Sequence, residues 1–163
     1  MLPDDIIDLA AHVLDLFKAE GARIATAESC TGGLIAGALT EVAGSSAVVD
    51  RGFVTYSNEA KTELLGVPVT LIAGHGAVSR QVAQAMAEGA LARSRATVAV
   101  AVTGIAGPTG GSPAKPVGLV YFAVAKRGED TMVERHVFPG GRSQVRAETV
   151  RKALDLLAAG AAP

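Results

Sequence analysis

The residues with the clearest chemical potential form one short polar segment, Glu28-Ser29-Cys30-Thr31-Gly32-Gly33, between two apolar runs. Ser29 and Cys30 can both act as nucleophiles. If a helix begins near Gly32, the backbone N–H groups at its start lack intrahelical partners and form a positive pole. That pole, built from Cys30, Thr31, Gly32 and Gly33, could stabilise an oxyanion. Residue types alone favour a simpler function, in which Ser29 or Thr31 caps the helix and the glycines permit packing.

A nucleophilic serine needs a base, and Lys61 is the strongest candidate in this sequence. It follows Tyr56 by five residues, at the start of a predicted helix. The three histidines are weaker candidates for the base. His12 lies on a predicted amphipathic helix and His136 within a predicted strand, which leaves only His75, in a glycine-containing loop, as a possible base. A lysine of lowered pKa can replace histidine in a serine enzyme, with a tyrosine to relay protons. The alternative for Lys61 is an ordinary solvated surface lysine.

A glycine-rich segment at residues 105–118 is the best candidate for a ligand-binding loop. It follows the most apolar strand pattern, and ligands of open α/β sheets bind beyond strand ends. Its glycines could wrap a phosphate through backbone N–H groups. No Gly-Lys-Ser/Thr follows, so the segment is not a P-loop. Arg142, at the start of the last predicted helix, could pair with the same phosphate; Arg142 and Arg146 could equally be surface charges.

Composition narrows the function classes. The 163 residues are 49% apolar and 19% charged, which indicates one globular domain rather than a disordered chain. A net charge of −1 and 4% aromatic residues disfavour a nucleic-acid binder. The chain has a single cysteine, which excludes an internal disulfide, and no spacing of cysteine and histidine suits a metal site. No apolar stretch approaches the length of a membrane span. We therefore expect a cytoplasmic protein that does not bind membranes.

These residues must be positioned by alternating helices and strands. Apolar periodicity predicts helices over residues 4–19, 32–42, 58–66, 79–93 and 141–159, with Asn58 as the cap of the third. It predicts strands over residues 23–27, 48–57 and 96–104, and a hairpin over 119–140. The pattern indicates an α/β fold, a single-domain three-layer α/β/α arrangement with a mixed sheet of about five to six strands. One domain is expected over residues 1–163, with 160–163 as a frayed tail.

Several segments taken in order closely resemble the CinA C-terminal domain family, the nicotinamide mononucleotide deamidases or nicotinamide-nucleotide amidohydrolases. The matching segments, spread along nearly the whole chain, are "AESCTGG", "GSSAVVDRGFVTYSNEAK", "GAVS", "VTGIAGPTGGSPAKPVGLVYFA" and "GGRSQVR". The resemblance implies hydrolysis of the carboxamide of nicotinamide mononucleotide to nicotinate mononucleotide and ammonia. It implies a serine nucleophile and no metal or other cofactor.

The resemblance also implies residue roles. Ser29 falls on the family's nucleophile, Lys61 on its general base and Tyr56 on the partner of that base. The positions that match substrate contacts are Ser46, Thr103, Gly104, Ala106 and Gly107. Arg142 falls near a family arginine assigned to the phosphate, although Gly141 replaces the acidic residue that usually precedes that arginine.

Three alternatives stay open at this point. Cys30 could be the nucleophile of a thiol enzyme, the preferred carboxamide could be a different one, or the chain could be a non-catalytic nucleotide sensor. The sequence assigns no role to Glu28, His75 or Arg146. The small domain and the apolar strands of the hairpin favour a homodimer or a larger homo-oligomer.

Overall fold

A five-stranded mixed sheet forms the centre of the computed structural model, which describes residues 1–161. Its strands are β1 (Ile24–Glu28), β2 (Val49–Val54), β3 (Val98–Gly104), β4 (Leu119–Lys126) and β5 (Met132–Val137). Their order across the sheet is β2-β1-β3-β4-β5. β1 is parallel to both of its neighbours, whereas β4 is antiparallel to β3 and β5. The mixed sheet predicted from the sequence is therefore confirmed.

Helices cover both faces of this sheet. They are α1 (Asp4–Glu20), α2 (Leu34–Glu41), α3 (Asn58–Leu65), α4 (Val69–His75), α5 (Arg80–Ala92) and α6 (Arg142–Gly160). α1, α2 and α6 pack together on one face, and α3, α4 and α5 pack together on the other. Among residues 1–161, no helix combines the length and the apolarity needed to cross a bilayer.

The central strand β3 shows how the sequence separates the two layers. Alternate residues of a strand face opposite sides of the sheet. Val98, Val100 and Val102 enter the core beneath α1 and α6, while Ala99 and Ala101 enter the core beneath α5. Because alanine is small, α5 can approach the sheet closely. The uninterrupted apolar pattern of this strand correctly predicts burial on both faces.

The predicted elements differ from the structure at several places. Helix α4 was not predicted, since none of its residues is buried and its sequence, VTLIAGH, shows no helical apolar stripe. His75, expected in a loop, is its last residue. The N-cap of α3 is Ser57 rather than Asn58: the Ser57 hydroxyl oxygen accepts a hydrogen bond of 3.0 Å from the Ala60 N–H. The last helix continues through Gly160, and residues 162 and 163 of the predicted tail lie outside the described residues.

The parallel strands bring the candidate residues to one edge of the sheet. Glu28, the last residue of β1, pairs with Val54 at the end of β2 and with Val102 near the end of β3. The segments that follow these strands begin at Ser29, at Thr55 and at Ile105. The three chemically interesting segments of the sequence therefore meet at the carboxyl edge of the sheet.

We predict that Gly89→Ala destabilises the fold by separating α3 from α5. A Cβ atom at position 89 would lie 2.0 Å from the carbonyl oxygen of Leu65 at the end of α3. The expected loss is about 1–3 kcal/mol in the free energy of unfolding, measured by chemical denaturation.

Gly37→Ala is the matched control, because it replaces an exposed helical glycine with nothing within 4 Å of the new Cβ. Its free energy of unfolding should stay unchanged or rise by up to about 1 kcal/mol. Equal unfolding free energies for the two variants would contradict the close α3–α5 approach.

Candidate active site

The centre of the site is a buried contact between Ser29 and Lys61. The Lys61 Nζ atom lies 3.0 Å from the Ser29 Oγ atom. Ser29 follows β1 directly, and Lys61 lies in the first turn of α3, which begins just after the neighbouring strand β2. Lys61 is only 1% exposed and Ser29 only 8%. The structure thus brings together the predicted nucleophile and the predicted base, 32 residues apart in the chain.

The Lys61 amine is surrounded by backbone carbonyl groups rather than by carboxylates. Its Nζ atom donates to the carbonyl oxygens of Thr55 at 2.8 Å and Tyr56 at 3.3 Å, with a longer contact of 3.5 Å to Ser57. None of the ion pairs within residues 1–161 involves Lys61. Burial lowers the pKa of this amine below its ordinary value of 10.5.

Cys30 lines the same site but its thiol is unsuited to nucleophilic chemistry. The side chain is buried, and this burial raises the pKa of the Cys30 thiol from 9.0 to about 12. The nearby Glu28 carboxylate acts in the same direction. Because the thiolate is the nucleophilic form, the raised pKa disfavours Cys30 as a nucleophile at neutral pH.

Glu28 acquires a role that the sequence did not indicate. Its fully buried carboxylate accepts hydrogen bonds from the Thr31 hydroxyl at 2.5 Å and from the backbone N–H groups of Ile35 at 2.8 Å and Ala36 at 3.0 Å. The N-cap residue of α2, Gly33, has no side chain to satisfy these donors. Glu28 therefore caps α2 from the end of β1, through contacts that no capping pattern in the sequence encodes.

This capping changes the predicted oxyanion site. Helix α2 begins two residues later than predicted, and Glu28 occupies its first N–H groups. Thr31 is fully buried, and the Gly32 N–H donates to the Ser29 carbonyl oxygen at 3.0 Å. Of the four predicted oxyanion residues, Cys30 lines the cavity described below, whereas Thr31, Gly32 and Gly33 do not.

Arg146, also without a role in the sequence, holds the turn that follows Ser29. From α6, its Nε atom donates to the Cys30 carbonyl oxygen at 3.1 Å, and its second guanidinium nitrogen donates to the Thr31 carbonyl oxygen at 3.2 Å. The sequence feature that could have indicated this role is the position of Arg146, one helical turn after Arg142 on the same face of the predicted helix.

A cavity of about 280 Å³ opens beside the Ser29–Lys61 contact. Its wall includes Ser29, Cys30 and Lys61 and six further predicted residues: Tyr56, Thr103, Gly104, Ala106, Gly107 and Arg142. Lys61 and Arg142 are the basic residues of the wall, which contains no aspartate or glutamate, and the Arg142 guanidinium keeps its positive charge at neutral pH. The cavity therefore favours an anionic ligand.

Other wall residues escaped functional prediction. Asn58 was expected only as a helix cap, and the connection between α4 and α5 contributes Ala77 and Val78. The Thr103 hydroxyl donates to the Ala77 carbonyl oxygen at 2.9 Å and holds this connection against the end of β3. The motif "GAVS" was the available signal for these two residues.

Ser46, expected to contact the substrate, does not reach this cavity. It lies in a short 3₁₀ helix, Ser45–Ala47, directly before β2. At that edge of the sheet β1 begins, with Ile24 pairing with Val49. An Arg23 guanidinium nitrogen donates to the Ser46 carbonyl oxygen at 3.3 Å. Because β1 and β2 run parallel, both strands begin at the edge of the sheet opposite to Ser29. The family resemblance that suggested Ser46 gives no information on which edge of the sheet this residue occupies.

Tyr56 and Arg142 lie together at the mouth of the cavity. One terminal nitrogen of Arg142 donates to the Gly107 carbonyl oxygen at 2.9 Å, and the other donates to the Tyr56 hydroxyl oxygen at 3.2 Å. The contact between Tyr56 and Lys61 involves the tyrosine carbonyl group, not its phenol. The structure thus places Tyr56 beside both basic residues, through different atoms.

We predict that Cys30 resists alkylation in the folded protein. A pKa raised from 9.0 to about 12 lowers the thiolate fraction at neutral pH by about 10³-fold. Iodoacetamide labelling followed by mass spectrometry should therefore be slower by at least about that factor in the native protein than in denaturant. The single cysteine makes the readout unambiguous; equal labelling rates would show a reactive thiol.

Comparison with known proteins agrees with this architecture. The family model of the CinA C-terminal domain matches residues 6–160 of this chain. A crystal structure of the competence/damage inducible protein CihA from Agrobacterium tumefaciens superposes with a TM-score of 0.95 at 56% identity, covering 98% of this chain and 97% of that one. A competence damage-inducible protein A from Klebsiella pneumoniae gives a TM-score of 0.91 at 44% identity, covering 94% and 95%.

Some curated relatives are about as long as this chain, and others are much longer. A CinA-like protein of Mycolicibacterium gilvum is 58% identical over 84% of this chain, which spans only 32% of that protein. The nicotinamide-nucleotide amidohydrolase PncC of Escherichia coli K12 is 48% identical over 96% of this chain and 95% of its own length. The match of the family model and the identity to relatives of the same length show that this chain belongs to the CinA C-terminal domain family.

Proposed function

We propose that this protein is an amidohydrolase that converts nicotinamide mononucleotide to nicotinate mononucleotide and ammonia. The observation that carries the proposal is the buried contact between Ser29 and Lys61, inside a cavity whose charged residues are basic. The identity to the Escherichia coli nicotinamide-nucleotide amidohydrolase over nearly the full length of both chains supports the choice of substrate.

Lys61 acts as the general base in this proposal. A neutral lysine amine offers two N–H donors and one lone pair. If the carbonyl oxygens of Thr55 and Tyr56 accept the two N–H groups, the lone pair is left to accept the Ser29 hydroxyl proton across the 3.0 Å between Nζ and Oγ. Burial without a carboxylate partner favours this neutral form, since desolvation disfavours the charged one.

The reaction then proceeds in two steps. As Lys61 takes its proton, the Ser29 oxygen attacks the carboxamide carbon and forms a tetrahedral oxyanion. The C–N bond breaks, Lys61 returns the proton to the leaving nitrogen, and ammonia departs from an acyl-enzyme. A water molecule gives a proton to Lys61 and attacks the acyl carbon, and Ser29 leaves with that proton as the nicotinate product forms.

The backbone N–H of Cys30 is the oxyanion donor that we assign. Cys30 lines the cavity directly after the nucleophile, whereas the other predicted donors lie outside the cavity wall. The amide that follows a nucleophilic serine has the same function in other hydrolases. Arg146 supports this assignment, because it holds the Cys30 and Thr31 carbonyl groups and so restricts the turn.

The phosphate group of the substrate is assigned to Arg142 and the start of α6. Arg142 lines the cavity and is the first residue of this helix, whose N-cap, Gly141, provides no side-chain hydrogen bond. Free N–H groups and the helix dipole favour an anion at such a position. With glycine at position 141, Arg142 has no acidic residue directly before it in the chain.

We predict that Ser29→Ala abolishes ammonia release while Cys30→Ala does not. Removing a nucleophilic serine costs about 10³-fold or more in kcat, and the Cys30 thiol is not the reactive species. Cys30→Ala should stay within about tenfold of the unmodified enzyme. Ammonia is measured by a coupled assay on nicotinamide mononucleotide and on a panel of other carboxamides.

Each alternative gives a different result in this assay. Full activity of Ser29→Ala would contradict the serine mechanism, and loss of activity only in Cys30→Ala would indicate a thiol enzyme. Binding of nicotinamide mononucleotide without ammonia release by the unmodified protein would indicate a sensor. Preference for another member of the panel would change the substrate but not the mechanism.

We also predict a pH dependence set by Lys61. Below its lowered pKa the amine is protonated and cannot accept the Ser29 proton, so kcat/KM should fall about tenfold per pH unit there. Above that pKa, which lies under the ordinary 10.5, kcat/KM should level off. Lys61→Met, of similar length but without a base, should lose about 10²–10⁴-fold in kcat.

Circular dichroism spectra of Lys61→Met provide the control for folding. Undiminished activity in this variant, or a kcat/KM that decreases as pH rises through the inflection, would contradict a neutral lysine base.

A further inference from the structure

Tyr56 makes two contacts that separate its backbone from its side chain. Its carbonyl oxygen accepts from the Lys61 Nζ atom at 3.3 Å, while its hydroxyl oxygen accepts from Arg142 at 3.2 Å. The side chain lies at the mouth of the cavity, and the residue is 62% exposed, whereas Lys61 is fully enclosed. A change confined to the phenol therefore acts first on the arginine and not on the base.

Arg142 is held by neutral groups on both sides. Its other terminal nitrogen donates to the Gly107 carbonyl oxygen at 2.9 Å, and within residues 1–161 it takes part in no ion pair. A phenol and a carbonyl group can fix the plane of a guanidinium without cancelling its charge. The remaining N–H donors of Arg142 stay available for a bidentate contact with an anion.

The contacts of Arg142 also join three separate parts of the chain. Tyr56 follows β2, Gly107 belongs to the glycine-rich loop after β3, and Arg142 begins α6. An unrestrained arginine at an exposed helix start samples many rotamers, and ordering it on binding costs free energy. A guanidinium held beforehand by two acceptors avoids part of this cost, which benefits binding rather than bond cleavage.

We infer that Tyr56 is a positioning residue for anion recognition: its phenol and the Gly107 carbonyl group orient Arg142 toward the phosphate of the substrate. This rests on the proposed function and revises the role of Tyr56 as proton partner of Lys61. The phenol then contributes to the KM of phosphorylated substrates and not to the chemical step. Preference for a nucleotide over its nucleoside is, in part, a property of this tyrosine.

The test compares Tyr56→Phe with the unmodified enzyme on two substrates that differ by one group. Nicotinamide mononucleotide carries the phosphate, and nicotinamide riboside presents the same carboxamide and ribose without it. Tyr56→Phe should raise KM for the nucleotide about three- to tenfold, the effect of losing one hydrogen bond to a charged group. Its kcat should stay within about twofold, its pH profile should be unchanged, and its kinetics on the riboside should match those of the unmodified enzyme.

The chain offers a matched control in its second tyrosine. Tyr121 lies on β4, where it pairs with Thr103 but is not itself part of the cavity wall. Tyr121→Phe removes the same hydroxyl group and should leave KM for both substrates unchanged. Arg142→Gln should raise KM for the nucleotide more than Tyr56→Phe does, and adding Tyr56→Phe to it should cause little further change, because the tyrosine acts through the arginine.

Two results would overturn the inference. One is a fall of about 100-fold in kcat for both substrates in Tyr56→Phe, and the other is a displaced pH profile. Either would make the phenol a proton carrier while leaving the amidohydrolase intact. If the unmodified protein hydrolyses neither substrate, the proposed function fails and calorimetric binding decides instead. A weaker Kd for the nucleotide alone in Tyr56→Phe then supports the inference, and equal Kd values reject it.

Discussion

The burial of one lysine amine without a carboxylate partner is the constraint on which the site depends. Removing a charged group from water costs several kcal/mol, and such groups respond by losing their charge. Lys61 is accommodated because the chain leaving β2 turns three carbonyl groups toward it before α3 begins. Gly89 lets the end of α3 lie close against α5. Acceptors without negative charge satisfy the N–H groups and leave the amine basic.

Glu28 shows how the same fold keeps a carboxylate from cancelling this effect. It stands directly before Ser29, and an ion pair with Lys61 would hold the amine protonated. Instead its oxygens accept from Thr31 and from the first N–H groups of α2. The start of α2 thus stabilises a buried carboxylate, while the start of α6 remains open at the cavity. Two helix starts with a glycine N-cap thus differ in what they face: that of α2 is occupied by a carboxylate of the protein, and that of α6 has no side-chain cap.

Local patterns predicted most of the framework, whereas the pairing of Ser29 with Lys61 was implied by the family resemblance. The unbroken apolar run of β3 and the periodicity of α1 and α5 are local signals, whereas the strand order was not predicted. Arg146 could not be placed in this way, since its contacts lie 115 and 116 residues away in the chain. Helix α4 has no buried face to produce a periodic signal. Ser46 lies outside the cavity wall, and a motif match contains no strand direction from which this position could be predicted.

The position of α6 in the chain gives the site an order of assembly. The serine and its lysine lie within the first 61 residues, yet Arg142 and Arg146 come from the last helix. A ribosome delivers the chain from its N-terminus, so Ser29 and Lys61 emerge long before Arg142 and before Arg146, which holds the turn after Ser29. A chain interrupted before residue 142 would carry Ser29 and Lys61 without either clamp. The cavity and the turn after Ser29 are therefore complete only when the last helix has been translated.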